Sequence, residues 1–169
     1  MVYTMKIYTD GGCRNNGYTN AKGAAAAVFK TRHRTLSYTR KLPSTESPSP
    51  TSQRAEITAI IIALEEALRR YRNLASDPYL SVTIYSDSRY AVNCMSEWIY
   101  KWSNNGWKNS MGNPVANQDL LRRASSLDDD LRDEGDVEYI WIPRSENFRA
   151  DELCQEILDE SDSDSDSDY

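Results

Sequence analysis

Cysteine and histidine are scarce here, and long apolar runs and a surplus of positive charge are missing. The chain's 169 residues include three cysteines and one histidine. Cys13, Cys94 and Cys154 form no C-x-x-C pair, and their odd number without a secretory leader argues against a disulfide framework. The expectation is an intracellular, reducing compartment, cytoplasm or nucleus. The longest apolar stretch, around Ile57 to Leu64, falls far short of the roughly 20 residues that span a bilayer, so no membrane partner is expected. The formal charge of −6 looks wrong for a polyanion binder until it is located. Six of the 26 acidic residues lie between Asp159 and Tyr169, and the remaining twenty balance the 20 lysines and arginines. The acidity belongs to a tail, and net charge neither supports nor excludes a nucleic-acid partner.

A length of 169 residues fits one domain with one core. The expected division is a folded domain over 1–158 and an acidic Ser/Asp tail over 159–169, disordered because it has no apolar anchors. Within the domain, Met5 to Asp10 alternates as a strand that stops at Gly11-Gly12. Gly23 to Lys30 and Thr35 to Lys41 follow as strands of an antiparallel meander. From Gln53 the period changes: Ile57, Ile60, Ile61, Leu64 and Leu68 fall at helical spacing, with Thr51 or Ser52 as N-cap. Leu80 to Tyr85 is a strand, and Ala91, Met95, Trp98 and Trp102 mark the next helical face. A polar loop holds Trp107, a helix carries Leu120 to Leu131, Val137 to Ile142 is the last strand, and a final helix is capped at Asn147. The order βββαβααβα is an α/β arrangement, a five-stranded mixed sheet flanked by helices.

If the meander runs up, down and up, the helix after it starts at the edge where Asp10 lies, bringing Glu56 close. The next strand then climbs parallel to the first and ends at Asp87, and the last delivers Asp151 in the first turns of the final helix. Four carboxylates thus converge at the carboxyl ends of strands, where open α/β sheets place their sites. Such a cluster is unfavourable without protons or a cation between its members. Oxygen ligands without convergent His or Cys favour Mg²⁺ or Mn²⁺ over zinc. Two such ions about 4 Å apart stabilise both oxygens of a phosphodiester displacement. Singly, each acid is as well explained as a turn or cap residue.

At these positions the chain resembles the type 1 ribonuclease H family, from about Lys6 to Glu156. The segments are Tyr8-Thr9-Asp10-Gly11-Gly12 with Asn16, Thr51-Ser52-Gln53-Arg54-Ala55-Glu56, and Tyr85-Ser86-Asp87-Ser88-Arg89-Tyr90. They continue with Trp98, Trp102, Gly106-Trp107-Lys108, then Asn117-Gln118-Asp119-Leu120, and Asn147 with Asp151-Glu152-Leu153. The resemblance implies a ribonuclease H-like fold and endonucleolytic cleavage of the RNA strand of RNA/DNA hybrids, leaving 5′-phosphate and 3′-hydroxyl ends. It implies that Asp10, Glu56, Asp87 and Asp151 bind two metal ions, Asp10 bridging both. Asn16, Ser52 and Gln53 resemble the family's contacts to the RNA strand, where polar groups sense the 2′-hydroxyl. Thr51 and Asn117 resemble donors to a DNA phosphate. Trp98, Trp102, Trp107 and Lys108 resemble a protruding handle along the DNA strand, although at i, i+4 on a helix Trp98 and Trp102 also suit a core. Gly11 and Gly12 are expected to leave room for the nucleic-acid backbone.

Two features depart from the family's pattern. Many members carry a histidine before the last helix, whereas His33 lies by the hairpin between the second and third strands. The loop here, Pro143-Arg144-Ser145-Glu146-Asn147, resembles a subset with Pro-Arg in that place. Arg144 is a candidate for permanent positive charge near the leaving group, with a solvated loop charge as the alternative; guanidinium cannot shuttle protons at working pH. The handle is also weakly basic, with Lys101 and Lys108 alone, so modest, salt-sensitive binding to a hybrid is expected. A monomer is expected, with a basic partner for the acidic tail as a further possibility. A non-catalytic hybrid-binding module would have lost an acid, and none of the four is missing. Another nuclease of the ribonuclease H-like superfamily fits the Thr51–Glu56 segment and the tryptophans less well.

Overall fold

The computed structural model describes residues 1–166. Five strands form one mixed sheet in the order β3-β2-β1-β4-β5. They are β1 (Val2–Arg14), β2 (Lys22–Lys30), β3 (Thr35–Leu42), β4 (Tyr79–Ser86) and β5 (Gly135–Trp141). β1, β2 and β3 are antiparallel neighbours, whereas β4 pairs parallel to β1 and β5 parallel to β4. The meander and the two parallel additions agree with the sequence reading.

Helix α1 (Ser52–Arg72) begins where the expected cap lies: the Thr51 hydroxyl accepts from the Arg54 N–H at 3.1 Å. Arg69, Arg70 and Arg72 sit in its last turn, where positive charge complements the helix dipole. Its apolar stripe, Ile57, Ile60, Ile61, Leu64 and Leu68, packs on one face of the sheet against Met5, Ile7, Phe29, Leu80, Val82 and Ile84. α4 (Gln118–Arg132) joins this layer through Leu121, Ala124, Leu127 and Leu131. α5 (Phe148–Asp166) covers the other face over β2, where Cys154, Ile157 and Leu158 meet Ala24 and Ala26. The alanines of β2 are small enough to let helices approach from both sides. Among the described residues, no helix is long and apolar enough to cross a membrane.

Three expectations change. β1 does not stop at Asp10; it continues through Gly11 and Gly12 to Arg14, paired with Ala25, Ala24 and Lys22 of β2. The second helical segment is α2 (Arg89–Asn93) and α3 (Ile99–Asn104) joined by a π-helical turn, Cys94–Trp98. That extra residue rotates the helix, so Ala91, Cys94, Met95 and Ile99 are buried and Trp98 and Trp102 lie half-buried beside them. Where disorder is expected from residue 159 onward, α5 runs on to Asp166. Just beyond Leu158 that extension makes polar contacts, Arg14 pairing with Asp159 and Asp162. Residues 167–169, the end of the tail expected to be disordered, lie outside the described residues.

Candidate active site

Asp10 sits inside β1, one residue beyond the point where Thr9 pairs with Ser86 of β4, so Asp87 follows β4 directly alongside it. Glu56 reaches them from the first turns of α1. It can do so because Gly11 has no side chain: a Cβ there would stand 2.2 Å from the Ala55 carbonyl carbon and 2.4 Å from the Glu56 nitrogen. The room expected for substrate is thus taken by the helix at Gly11. At Gly12 an added Cβ would make only an ordinary contact, 3.5 Å from Leu158 Cδ1.

Carboxylate oxygens of Asp10, Glu56 and Asp87 all lie within 4.8 Å of one another. Asp151, in the first turn of α5, lines the same cleft but is not part of that tight trio. Instead, its Oδ1 accepts from Arg144 Nη2 at 3.1 Å. The cleft encloses about 480 Å³, and Ser52, Arg144, Arg14 and Gln155 are also in its walls.

Burial, then the charge of Asp87, pushes the Asp10 carboxyl up to about 8. Glu56 is driven well above the usual carboxyl range by burial and by the charge of Asp10. Asp87 is raised by burial, with the Asp10 hydrogen bond and the Arg144 charge opposing. Three acids this close cannot all stay ionised on their own. Glu56 Oε2 is buried without a hydrogen-bond partner, an acceptor waiting for a proton or a cation. The donors are all oxygen: Cys154 is buried with its Sγ donating to the Asp10 carbonyl at 3.2 Å, and Cys13 donates weakly to Arg14 O. The set suits a hard divalent ion.

The backbone carrying the acids is pinned from several elements. Asn147 Nδ2 donates to the Thr9 carbonyl at 2.7 Å, and the Thr9 hydroxyl donates to the Tyr85 carbonyl at 2.9 Å. Asn147 does stand at the start of α5, its carbonyl accepting from the Asp151 N–H. Its side chain, however, is a tether to β1 rather than the expected cap. The Trp141 indole N–H donates to the Asp87 carbonyl at 3.1 Å, with the Arg89 guanidinium 3.9 Å over its ring.

The expected substrate contacts fall in three groups. Asn16 and Ser52 are joined, Asn16 Oδ1 accepting from the Ser52 N–H at 3.1 Å; Gln53 is exposed beside them. Thr51 and Asn117 are linked through Arg54, whose part the sequence reading did not single out. Arg54 is 7% exposed, donates at 2.9 and 2.7 Å to both Asp119 oxygens, and reaches Asn117 Oδ1 at 3.5 Å. Asn117 is left-handed (φ 61°), with Nδ2 donating to Tyr90 OH at 3.0 Å. A charged residue one turn into an amphipathic helix was the available signal. The third group is an aromatic row: Tyr90, Trp98, Trp102 and Trp107 have successive ring centroids 5.6–6.5 Å apart. Trp107, expected in an open loop, is only 8% exposed and packs into the core, while Lys108 next to it is exposed.

Acids gathered at the carboxyl edge of such a mixed sheet mark the nuclease class of the ribonuclease H-like fold. The chain belongs to the RNase H family, whose family model matches residues 3–158. It is 33% identical over 157 residues to a Ribonuclease H of Haemophilus influenzae, covering 93% of this chain and 88% of that protein. It is 34% identical over 154 residues to a Ribonuclease H of Mycolicibacterium gilvum, covering 91% and 89%. Among solved structures, LC11-RNase H1 in complex with RNA/DNA hybrid superposes with a TM-score of 0.62 at 24% identity, covering 93% of this chain and 98% of that one. RNase H1 from the archaeon Halobacterium salinarum gives 0.58 at 23% identity, covering 94% and 99%.

Proposed function

We propose that this protein is an endoribonuclease that hydrolyses the RNA strand of RNA/DNA hybrids, leaving 5′-phosphate and 3′-hydroxyl ends. The observation that carries this is the trio Asp10, Glu56 and Asp87, within 4.8 Å at the wall of an open cleft, in a chain of the RNase H family. Asp10, Glu56, Asp87 and Asp151 would hold two divalent ions, Mg²⁺ or Mn²⁺. When bound, such ions activate water and neutralise charge on the phosphate and leaving oxygen.

The protein's own groups set the rest. Arg144, tied to Asp151, adds a fixed positive charge beside the leaving group and moves no proton. Asn16, Ser52 and Gln53 meet the RNA strand, where short polar groups sense the 2′-hydroxyl. The Thr51 hydroxyl, accepting from Arg54 N, retains its hydrogen to donate to a DNA phosphate, and Asn117 retains one amide hydrogen. The exposed Lys108 and the half-buried Trp98 and Trp102 support the DNA strand, with Trp107 as the buried base of that row. We also propose that the chain acts as a monomer and in a reducing compartment, the second of these supported by Cys13, Cys94 and Cys154 all being free thiols.

RNA/DNA, RNA/RNA and DNA/DNA duplexes offered with Mg²⁺, with and without chelator and beside Asp10→Asn, test this. Cleavage confined to the RNA of the hybrid, and lost with chelator and in the variant, is the expected result. Binding without cleavage would make the chain a hybrid-binding module. Cutting of plain DNA would make it another nuclease of this fold.

A further inference from the structure

Arg14 ends β1 at the rim of the carboxylate cleft, two residues before Asn16, and lines that cleft with Gly12, Gln155 and Leu158. Its guanidinium is already occupied. Nη2 donates to Asp159 Oδ1 at 2.6 Å and to Gln155 Oε1 at 3.3 Å, and Nη1 donates to Asp162. Lys22, its cross-strand partner, donates from Nζ to the Ser161 carbonyl at 3.0 Å. The extension of α5 beyond the apolar anchor Leu158 therefore lays acceptors along the basic end of the β1–β2 ladder, beside the cleft.

Both acids stay open to water, with side-chain exposures of 70% for Asp159 and 47% for Asp162. Ion pairs so exposed are weak and exchange readily. The fork that binds two carboxylates also suits phosphate oxygens. The cleft's other arginine among the described residues, Arg144, is paired with Asp151, a candidate metal-binding acid. Arg14 is paired instead with acids outside that set.

We infer that Arg14 is a backbone-phosphate contact for the substrate duplex, and that Asp159 and Asp162 hold it in the free protein as internal competitors. This rests on the hybrid-nuclease reading above. Substrate entry exchanges two carboxylates for phosphate on one guanidinium, so the acidic end of α5 sets apparent affinity and leaves the chemical step alone. The exchange is driven in part by counterions released from the duplex, and so weakens as salt rises.

The test is steady-state cleavage of a short RNA/DNA hybrid with Mg²⁺ at low salt. It compares the full chain with Arg14→Ala, Arg14→Lys, the Asp159→Asn/Asp162→Asn pair, and that pair combined with Arg14→Ala. Arg14→Ala should raise KM by about three- to tenfold with kcat kept, and Arg14→Lys should recover part of that rise. The asparagine pair should lower KM about threefold in the native background and leave it unchanged in the Arg14→Ala background. An equal fall in both backgrounds would mean general charge repulsion and overturn the inference, as would an unchanged KM in Arg14→Ala. Intact hybrid with every protein, the native chain included, would instead overturn the hybrid-nuclease reading, and this inference with it.

Discussion

Gly11 lies against Ala55 so closely that no other residue fits: an added Cβ would meet the Ala55 carbonyl carbon at 2.2 Å and its oxygen at 2.4 Å. Both contacts are backbone, so neither can swing aside. Gly11→Ala is therefore expected to push the start of α1 off β1, destabilising the protein by about 3 kcal/mol. It should also separate Glu56 from Asp10. Chemical denaturation reads the first effect and hybrid cleavage the second; Gly12→Ala, where the contact would be 3.5 Å, should change stability little.

Asp10 is expected to govern stability as well as chemistry. Its folded carboxyl is raised to about 8 by burial and by Asp87, well above the ordinary 3.8. A raised carboxyl favours the folded state while protonated, so its contribution is present below about pH 4 and lost as pH climbs towards 8. In chelator, the melting temperature should fall between pH 5 and pH 8.5, and Asp10→Asn should flatten that fall. At pH 8.5 the variant should exceed the native chain by about 2 kcal/mol, and Mg²⁺ should narrow the gap by stabilising the native chain.

Trp107 and Lys108, adjacent in sequence, should separate stability from binding. Trp107 is 8% exposed, beside Trp102 with the Arg122 guanidinium 5.5 Å from its ring. Trp107→Ala should cost about 3 kcal/mol in urea unfolding. Lys108→Ala, at an exposed position, should leave the unfolding curve in place and raise KM for the hybrid, most visibly at low salt.

Asp128 is expected to be structural. It is fully buried and accepts from Tyr100 OH at 2.8 Å, Tyr139 OH at 2.7 Å and Arg132 Nε at 2.9 Å. This joins α4 to β5 and to the helix bearing Trp102. Asp128→Ala leaves the Tyr100 and Tyr139 hydroxyls without their acceptor, while the part-exposed Arg132 keeps its bond to the Val137 carbonyl, and should cost about 3 kcal/mol in denaturant unfolding. With the carboxylate cluster untouched, kcat measured well below the melting temperature should hold.

Much of this was legible because it depends on local pattern. The stripe from Ile57 to Leu68 announced α1, alternation announced β1 and β3, and β-rich composition announced β4. The four acids stood out because each follows or opens an element at one predicted edge. Trp107 was misjudged because a polar loop is normally exposed; here Trp107 (φ 60°) and Gly106 (φ 76°) turn the chain so that the indole points inward. The π-helical turn left no periodic trace beyond one residue, and that one residue decides which faces of Trp98 and Trp102 are covered.

The sequence by itself determined the element order, the buried stripes and which four acids line the cleft, since all of these follow from spacing and side-chain chemistry. Only the tertiary structure decided that Gly11 serves the α1 approach, that Arg54 braces Asn117, and that Asn147 tethers β1. It alone carried α5 beyond Leu158 to the arginine at the cleft rim. The physical reason is that these are contacts between residues distant in the chain, each fixed by one close approach or one hydrogen bond that leaves no repeating mark in the sequence.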